Sequence, residues 1–311
     1  MQEEIRLKFI FCADSHLRAT TPACRKDSDF YQVQFDKLRQ IEQIAFARGV
    51  THILHGGDLF DAHNPPLQLV FDLINELNVH TATWVVNPGN HDVFGETTET
   101  LGRSGLGVVA AAGFIEVVEK PTDKVFGNTI VRFIPRTKPV DMTLFMFDKI
   151  EVGKVYDIVP HMMLVPRSVP YSHFLISDVK TNADLVLCSD YHGWFNEKQG
   201  HTRFLNSGSL TRQSVTEKDA KPGVWFVDTD QTKVEFIELK VRPASEVISL
   251  DVEEKIEKSV AGDFLTTLKS TVFESVDRRQ LVKEIGEKLG CSTAVIEAAA
   301  VRVKEAEASL I

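Results

Sequence analysis

A chain of 311 residues, 43% hydrophobic and 25% charged, has the make-up of an ordinary folded protein with room for one large domain and an appendage, which excludes a disordered or fibrous chain. Its formal net charge of -9 argues against a generally basic, nucleic-acid-coating surface, and leaves room for a local positive channel and for carboxylates gathered to hold cations. The amino-terminal "MQEEIRLKFIFCADSH" lacks a signal-peptide core, and no later run approaches the roughly 18 to 20 apolar residues of a membrane span, so a cytoplasmic protein is expected.

In chain order, "RLKFIFCAD" reads as a strand that stops at Asp14. From Phe35, the positions Leu38, Ile41, Ile44 and Ala45 follow helical spacing until Gly49 ends the helix. "THILHGGD" reads as a strand ending at Asp58, "LQLVFDLINEL" as a helix, and "ATWVVNPGNHD" as a strand running into a Pro-Gly-Asn-His-Asp turn. Later strands are expected at "TIVRFIP", "KVYDIVPHMM", "ADLVLCSDYH", "GVWFVDTD" and "KVEFIELKV". The alternation of strands and helices over the first 190 or so residues specifies an α/β domain. After Arg242 the pattern turns helical, so residues 1–242 are expected to form the main domain and 243–311 a small module of three helices. The four cysteines, Cys12, Cys24, Cys188 and Cys291, show no C-x-x-C spacing; neither a thiolate zinc site nor a disulfide framework is indicated.

The polar residues at the strand ends form a chemical set. They are Asp14 and His16 in "ADSHL", Asp58 in "GGDLFD", Asn90, His91 and Asp92 in "GNHD", His161 in "VPHMML", and Asp190 and His192 in "SDYH". In open α/β sheets, ligands collect where several strands run out into loops. Carboxylates with imidazoles suit manganese first, with magnesium, iron or zinc as alternatives. So many donors exceed the needs of one ion, and two divalent ions sharing a carboxylate suit phosphoryl chemistry.

D-x-H, G-D, G-N-H-D, a lone His and a final His-bearing element, in this order, resemble the calcineurin-like metallophosphoesterases. "GGDLFDAHNPP", "NPGNHD" and "FLNSGSLTR" are most similar to the SbcD-type nuclease subunit of double-strand-break repair complexes in bacteria and phages. The resemblance spans residues 5 to 240 or so and implies a four-layer αββα sandwich carrying a small C-terminal helical module. It implies that Asp14, His16 and His192 hold one metal, that Asn90, His161 and residue 190 hold the second, that Asp58 bridges, and that His91 is the general acid. It further implies a manganese-dependent exo- and endonuclease acting on DNA in repair, recombination or replication, with an SbcC-like coiled-coil ATPase as partner and a homodimer as a compatible assembly. A phosphodiesterase or phosphatase for small molecules or phosphoproteins, and a degenerate scaffold without activity, are the alternatives.

Each residue also has a structural reading. Asp14 and Asp58 suit turns, Asp58 also a helix cap, His161 a satisfied core histidine, and Asp92 a structural support for the His91 turn. His55, His63, His173 and His201 read as ordinary, with His63 the one that a substrate could touch. Asp190 departs from the family's G-H-x-H element. On an extended strand its spacing of two from His192 turns both side chains to one face. In the C-terminal segment, Gly286, Leu289, Gly290 and Ile296 resemble a helix-turn-helix, but Glu297 and an alanine run favour a hairpin that packs on the main domain or a partner, and the resemblance to the SbcD-type subunits implies that this segment docks on the ATPase.

Overall fold

A computed structural model of the chain describes residues 7–136, 139–229 and 233–249, all of which belong to the first of two units, Met1–Glu253 and Glu254–Ile311. The three expected C-terminal helices and the helix-turn-helix resemblance lie outside the described residues. Among the described residues no helix is long and apolar enough to cross a membrane.

The elements in chain order are β1 (Lys8–Cys12), α1 (Phe30–Arg48), β2 (His52–His55), α2 (Leu67–Leu77), β3 (Thr83–Val86), α3 (Gly105–Ala111), β4 (Ile115–Val117), β5 (Thr122–Phe126), β6 (Thr129–Ile134) and β7 (Val155–Pro160). There follow β8 (Leu164–Val165), β9 (Phe174–Leu175), β10 (Leu185–Cys188), β11 (Phe195–Gln199), β12 (Thr202–Asn206), β13 (Gly223–Asp228) and β14 (Lys233–Glu238). Two six-stranded sheets result, ordered β14-β13-β1-β2-β3-β4 and β11-β12-β10-β7-β6-β5. In the first, β1 to β4 run parallel; in the second, β6, β7, β10 and β12 do.

β1 shows how the sequence selects this arrangement. Ile10 and Cys12 pack on the side covered by helices α1 to α3, while Phe9 and Phe11 pack between the sheets, and all four are fully buried. A strand buried on both faces reads as a continuous apolar run, as "KFIFC" does. The layer between the sheets joins Phe9, Phe11, Leu54, Val85 and Trp225 of the first sheet to Val131, Phe133 and Leu187 of the second, each side chain contributing about 1.5–3 kcal/mol on burial. Trp225 Nε1 also donates to the Asn206 carbonyl at 2.9 Å, tying one sheet to the other. The outer face of the second sheet is covered by Phe145, Phe147, Met162 and Ile176, carried on single helical turns and loops.

α1 begins at Phe30, five residues before the apolar spacing becomes legible. Asp29 caps it by accepting from the Gln32 N–H at 3.0 Å, and Gly49 ends it with φ 63°. Residues 244–248 fold back on the main domain, with Val247 and Ile248 packed against Cys24. Cys12, Cys24 and Cys188 are buried free thiols.

Candidate metal centre

The parallel strands of both sheets end at one place. Asp14 N–H donates to the Gly57 carbonyl and His16 N–H to the Asp58 carbonyl, each at 3.0 Å, so the loops after β1 and β2 continue pairing beyond the strands. The second sheet joins them at the Gly56 carbonyl, which accepts from His161 Nδ1–H and the Ser189 hydroxyl, each at 2.9 Å. The packing leaves no room for side chains at two glycines. A methyl at Gly57, whose φ is 119°, would meet His161 Nδ1 at 2.2 Å, and one at Gly89 would meet Asp58 Oδ1 at 2.1 Å.

Among the described residues, five non-glycine residues have positive φ: Asp14 (52°), His16 (44°), Asp58 (55°), Glu96 (56°) and Asp190 (71°). Each such conformation costs about 1–3 kcal/mol and persists where the surroundings enforce it, typically at functional sites. Four of the five are residues that the motifs predict as ligands.

The side chains converge in two adjoining groups. Asp14, His16 and His192 offer donor atoms within 4.8 Å of one another, as do Asp58, His161 and Asp190. Asp58 Oδ2 lies between them, 3.7 Å from His16 Nε2 and 3.5 Å from His161 Nε2. Asn90 Oδ1 joins the second group, 3.0 Å from His161 Nε2. All seven predicted ligands are therefore brought together, and the exposed His91 stands beside them, its ring centroid 4.8 Å from that of His16.

The reason for the Asp190 placement differs from the strand-face argument. β10 ends at Cys188, so Asp190 and His192 leave it in a loop and turn to different groups. The left-handed Asp190 directs its N–H to both oxygens of Asp14 at 3.1 and 3.2 Å, and its carboxylate lies 3.5 Å from Arg136 Nη1.

The hydrogen bonds around the groups leave lone pairs facing inward. His192 Nδ1–H donates to Glu217 Oε1 at 2.8 Å, which turns its Nε2 toward His16 Nε2, only 3.1 Å away. His161 spends Nδ1–H on the Gly56 carbonyl and aims Nε2 at the oxygens of Asn90 and Asp58. Acceptors facing acceptors require either protons or cations between them. Without cations, the surrounding carboxylates favour protons on the ring nitrogens. Burial disfavours charge on His161, but Asp58, Asp190 and Asp14 overcome it and raise the group to about 10. Burial likewise opposes charge on His192, and the Glu217 bond with Asp14 and Asp58 raises it to about 9. Burial pushes Asp14 up to about 7 against the pull of His192 and His161, and lowers His16 to about 3. Asp58 stays well below the usual carboxylate range, because His161, His16 and His91 outweigh its burial. This donor set fits two divalent cations, with carboxylate and imidazole nitrogen in each neighbourhood and an amide oxygen in the second.

His91 is fixed at both ends, its N–H on Asp58 Oδ1 at 2.8 Å and its Nδ1–H on the Asp61 carbonyl at 2.7 Å, leaving Nε2 free. Asp92 accepts from the backbone N–H groups of Leu59, Phe60 and Gly89 at 3.0–3.2 Å, so it holds the Asp58 loop rather than the His91 ring. His55 is a buried histidine between Ser15 and the Gly57 N–H, kept neutral by burial at about 3. The His63 ring packs edge-on against Phe94.

Three contributors escape motif reading. Glu217 orients His192. Asp61 lies 3.8 Å from His16 Nδ1 and 3.4 Å from Arg18. Arg136 sits between Asp190 and Glu96, which it contacts through Nε and Nη2 at 3.0 and 2.9 Å. The spacing of Asp61 from Asp58 within "GDLFD" is the one local signal among them.

A two-sheet α/β fold with a pair of carboxylate-imidazole groups at the ends of its parallel strands defines a protein built for a dinuclear metal site. Residues 7–193 match the calcineurin-like phosphoesterase family model, and the chain belongs to that family, whose members work with a dinuclear metal centre. It is 26% identical over 231 residues to the DNA double-strand break repair protein Mre11 of Methanosarcina mazei, covering 71% of this chain and 36% of that protein. The Mre11 protein of Methanosarcina acetivorans is also 26% identical, over 235 residues, with the same two coverages. The chain thus spans about a third of the length of these curated relatives. Among solved structures it is similar to a dimetal phosphatase from Danio rerio, at TM-score 0.48 and 10% identity over 75% of this chain and 99% of that one. A novel archaeal phosphodiesterase aligns at TM-score 0.41 and 13% identity over 75% of this chain and 100% of that one.

Proposed function

We propose that this protein is a metal-dependent phosphodiesterase that cuts DNA, with Asp14, His16, Asp58, Asn90, His161, Asp190 and His192 holding two divalent ions, manganese foremost. The observation that carries the reading is the pair of adjoining donor groups with Asp58 between them and His91 at their exposed rim. When bound, two such cations offset the charge that grows on phosphoryl oxygens and lower the pKa of water.

The chain's own residues supply the remainder. Glu217 and the Gly56 carbonyl set the tautomers of His192 and His161, so that each presents Nε2 to the site. His91, held at Nδ1 by the Asp61 carbonyl, is placed to deliver a proton from Nε2 to the leaving oxygen of the scissile ester. DNA as substrate, and a coiled-coil ATPase of the SbcC type as partner, are supported by the likeness to the Mre11 relatives and by the strand-end motifs. In this reading residues 1–242 form the nuclease domain and 243–311 a helical module that docks the partner.

The test is hydrolysis of a chromogenic phosphodiester and of linear duplex DNA with manganese by wild type and His91→Ala. General acid catalysis contributes about 10²–10⁴-fold, and more where the leaving group is poor. The substitution is therefore expected to suppress DNA cleavage far more than release of nitrophenolate. Equal losses on both substrates, or none, would remove His91 from the acid role.

A further inference from the structure

Apart from the metal centre, positive charge gathers around a cavity of about 220 Å³ between α1 and the segments around residues 25, 212 and 242. Five cationic side chains line it, Arg25, Lys37, Arg212, Lys240 and Arg242, against the carboxylates of Asp27 and Asp36. Arg25 and Arg242 share Asp27, at 2.6 and 2.5 Å, and Asp36 is engaged by Arg39 at 3.0 Å.

Among the described residues Lys37 and Arg212 make no ion pair; Asp36 and Asp27 act on Lys37, and Asp219 on Arg212, only from a longer distance. Lys37 sits on the buried side of α1 at 5% exposure, and its ammonium donates to the Lys240 carbonyl. Arg212 donates to the carbonyls of Ala220 and Arg242 at 3.0 and 3.2 Å. Burying an ammonium without a counter-ion is costly, and a chain of net charge -9 has many carboxylates that could have filled this place. Burial pulls Lys37 down to about 8, with Arg25 and Arg212 adding to it against the opposing pull of Asp36 and Asp27, and burial with Arg25 lowers Arg212 against Asp219. Carbonyl oxygens take up one donor of Lys37 and two of Arg212 and leave the charge unbalanced. An anion in the cavity would satisfy both.

Oxyanions with several acceptor oxygens suit such a fork of guanidinium and ammonium groups. Arg212 closes the "NSGSLTR" motif, and the cavity-lining Thr211 accepts from Gln213 Nε2 at 3.0 Å, which also donates to the His16 carbonyl at 3.1 Å. The cavity is thereby joined by a short chain of bonds to the loop that carries His16.

We propose that this cavity is a phosphate-binding site separate from the metal centre, with Lys37, Arg212 and Arg242 as its anion-holding groups. The phosphate is either free, as inorganic phosphate or a nucleotide's terminal group, or part of a nucleic-acid backbone. The site stands independently of any nuclease activity.

The test titrates the full manganese-loaded chain with inorganic phosphate by calorimetry, in wild type, Lys37→Met, Arg212→Gln and Asp58→Asn. The expected result is a binding event that survives Asp58→Asn and weakens about tenfold or more in both Lys37→Met and Arg212→Gln. Arg212→Gln, at a half-buried position, keeps the test valid should Lys37→Met fold poorly, and thermal melting reports the fold of each. A phosphate event identical in wild type and both cavity variants, or one abolished by Asp58→Asn alone, overturns the proposal. Given the event, binding of a labelled single-stranded oligonucleotide over a range of salt separates the two sources. A log–log salt slope shallower by about 0.7 in Lys37→Met assigns a backbone phosphate, whereas an unchanged slope assigns free phosphate.

Discussion

Replacing Glu217 tests whether a residue outside every motif controls the metal centre. Its Oε1 accepts from His192 Nδ1–H at 2.8 Å, and its Oε2 accepts from the Gln213 N–H at 2.8 Å and the Ser209 hydroxyl at 3.3 Å. A hydrogen bond to a charged group contributes about 1.5–3 kcal/mol, and each 1.4 kcal/mol is tenfold in affinity, so Glu217→Ala should weaken metal binding about 10- to 100-fold. Glu217→Gln retains an acceptor for His192 but sets an amide N–H₂ against the Gln213 N–H, and should fall at the lower end of that range. The assay is calorimetric titration of the metal-free protein with manganese, alongside an NMR pH titration of His192. The imidazole should drop from about 9 toward its ordinary value once the carboxylate is gone. A folded Glu217→Ala protein with wild-type manganese affinity and an unmoved His192 titration would refute the reasoning.

Other predictions follow from the same geometry. At pH 7 the metal-free site holds protons on His161 and His192, raised to about 10 and 9, and on part of the Asp14 population, raised to about 7. Cation binding should therefore release between about two and three protons, and affinity should fall as pH drops through 7; manganese titrations in buffers of different ionisation enthalpy measure this, and a proton-neutral reaction would contradict it. Asp190→His leaves Arg136 facing a neutral ring and should weaken the second metal about tenfold, with Arg136→Met restoring most of the loss in that background; equal effects of Arg136→Met in both backgrounds would deny the coupling. Asp92→Asn puts an amide donor among three backbone N–H groups in a fully buried place and should cost about 1–3 kcal/mol in denaturant unfolding, whereas an unchanged midpoint would show that those bonds add nothing.

Much of the site is legible in the sequence because each ligand sits within a few residues of an apolar strand that can be read by itself. Asp14 follows "FIFC", Asp58 follows "HILH", and Asn90 follows "TWVV", so the parallel register of β1, β2 and β3 carries three local patterns to one place. Glu217 and Arg136 are invisible at that level: their partners His192 and Asp190 are distant in the chain, and neither residue type is unusual where it stands. The start of α1 is hidden because its first turns bury Gln34 and Lys37 beside Phe30 and Phe35, which breaks the apolar period. β5 and β11 are missed because they lie at the edges of their sheet and are half exposed, so "TDKVF" and "FNEKQ" look like loops. Asp190 and His192 are assigned to the site by their spacing, but the left-handed turn that separates their targets follows from the loop beyond β10, which strand periodicity does not describe.

The account is tested most directly by the cleavage of linear duplex DNA in manganese, with and without chelator, by wild type and by Asp58→Asn, with bound metal counted in each. Asp58 Oδ2 lies within 4 Å of a histidine of each group, His16 and His161. The account predicts two ions per chain and chelator-sensitive cleavage in wild type, and the loss of both the second ion and the cleavage in a folded Asp58→Asn protein. Cleavage that withstands the chelator, or Asp58→Asn that retains two ions and full activity, would contradict it.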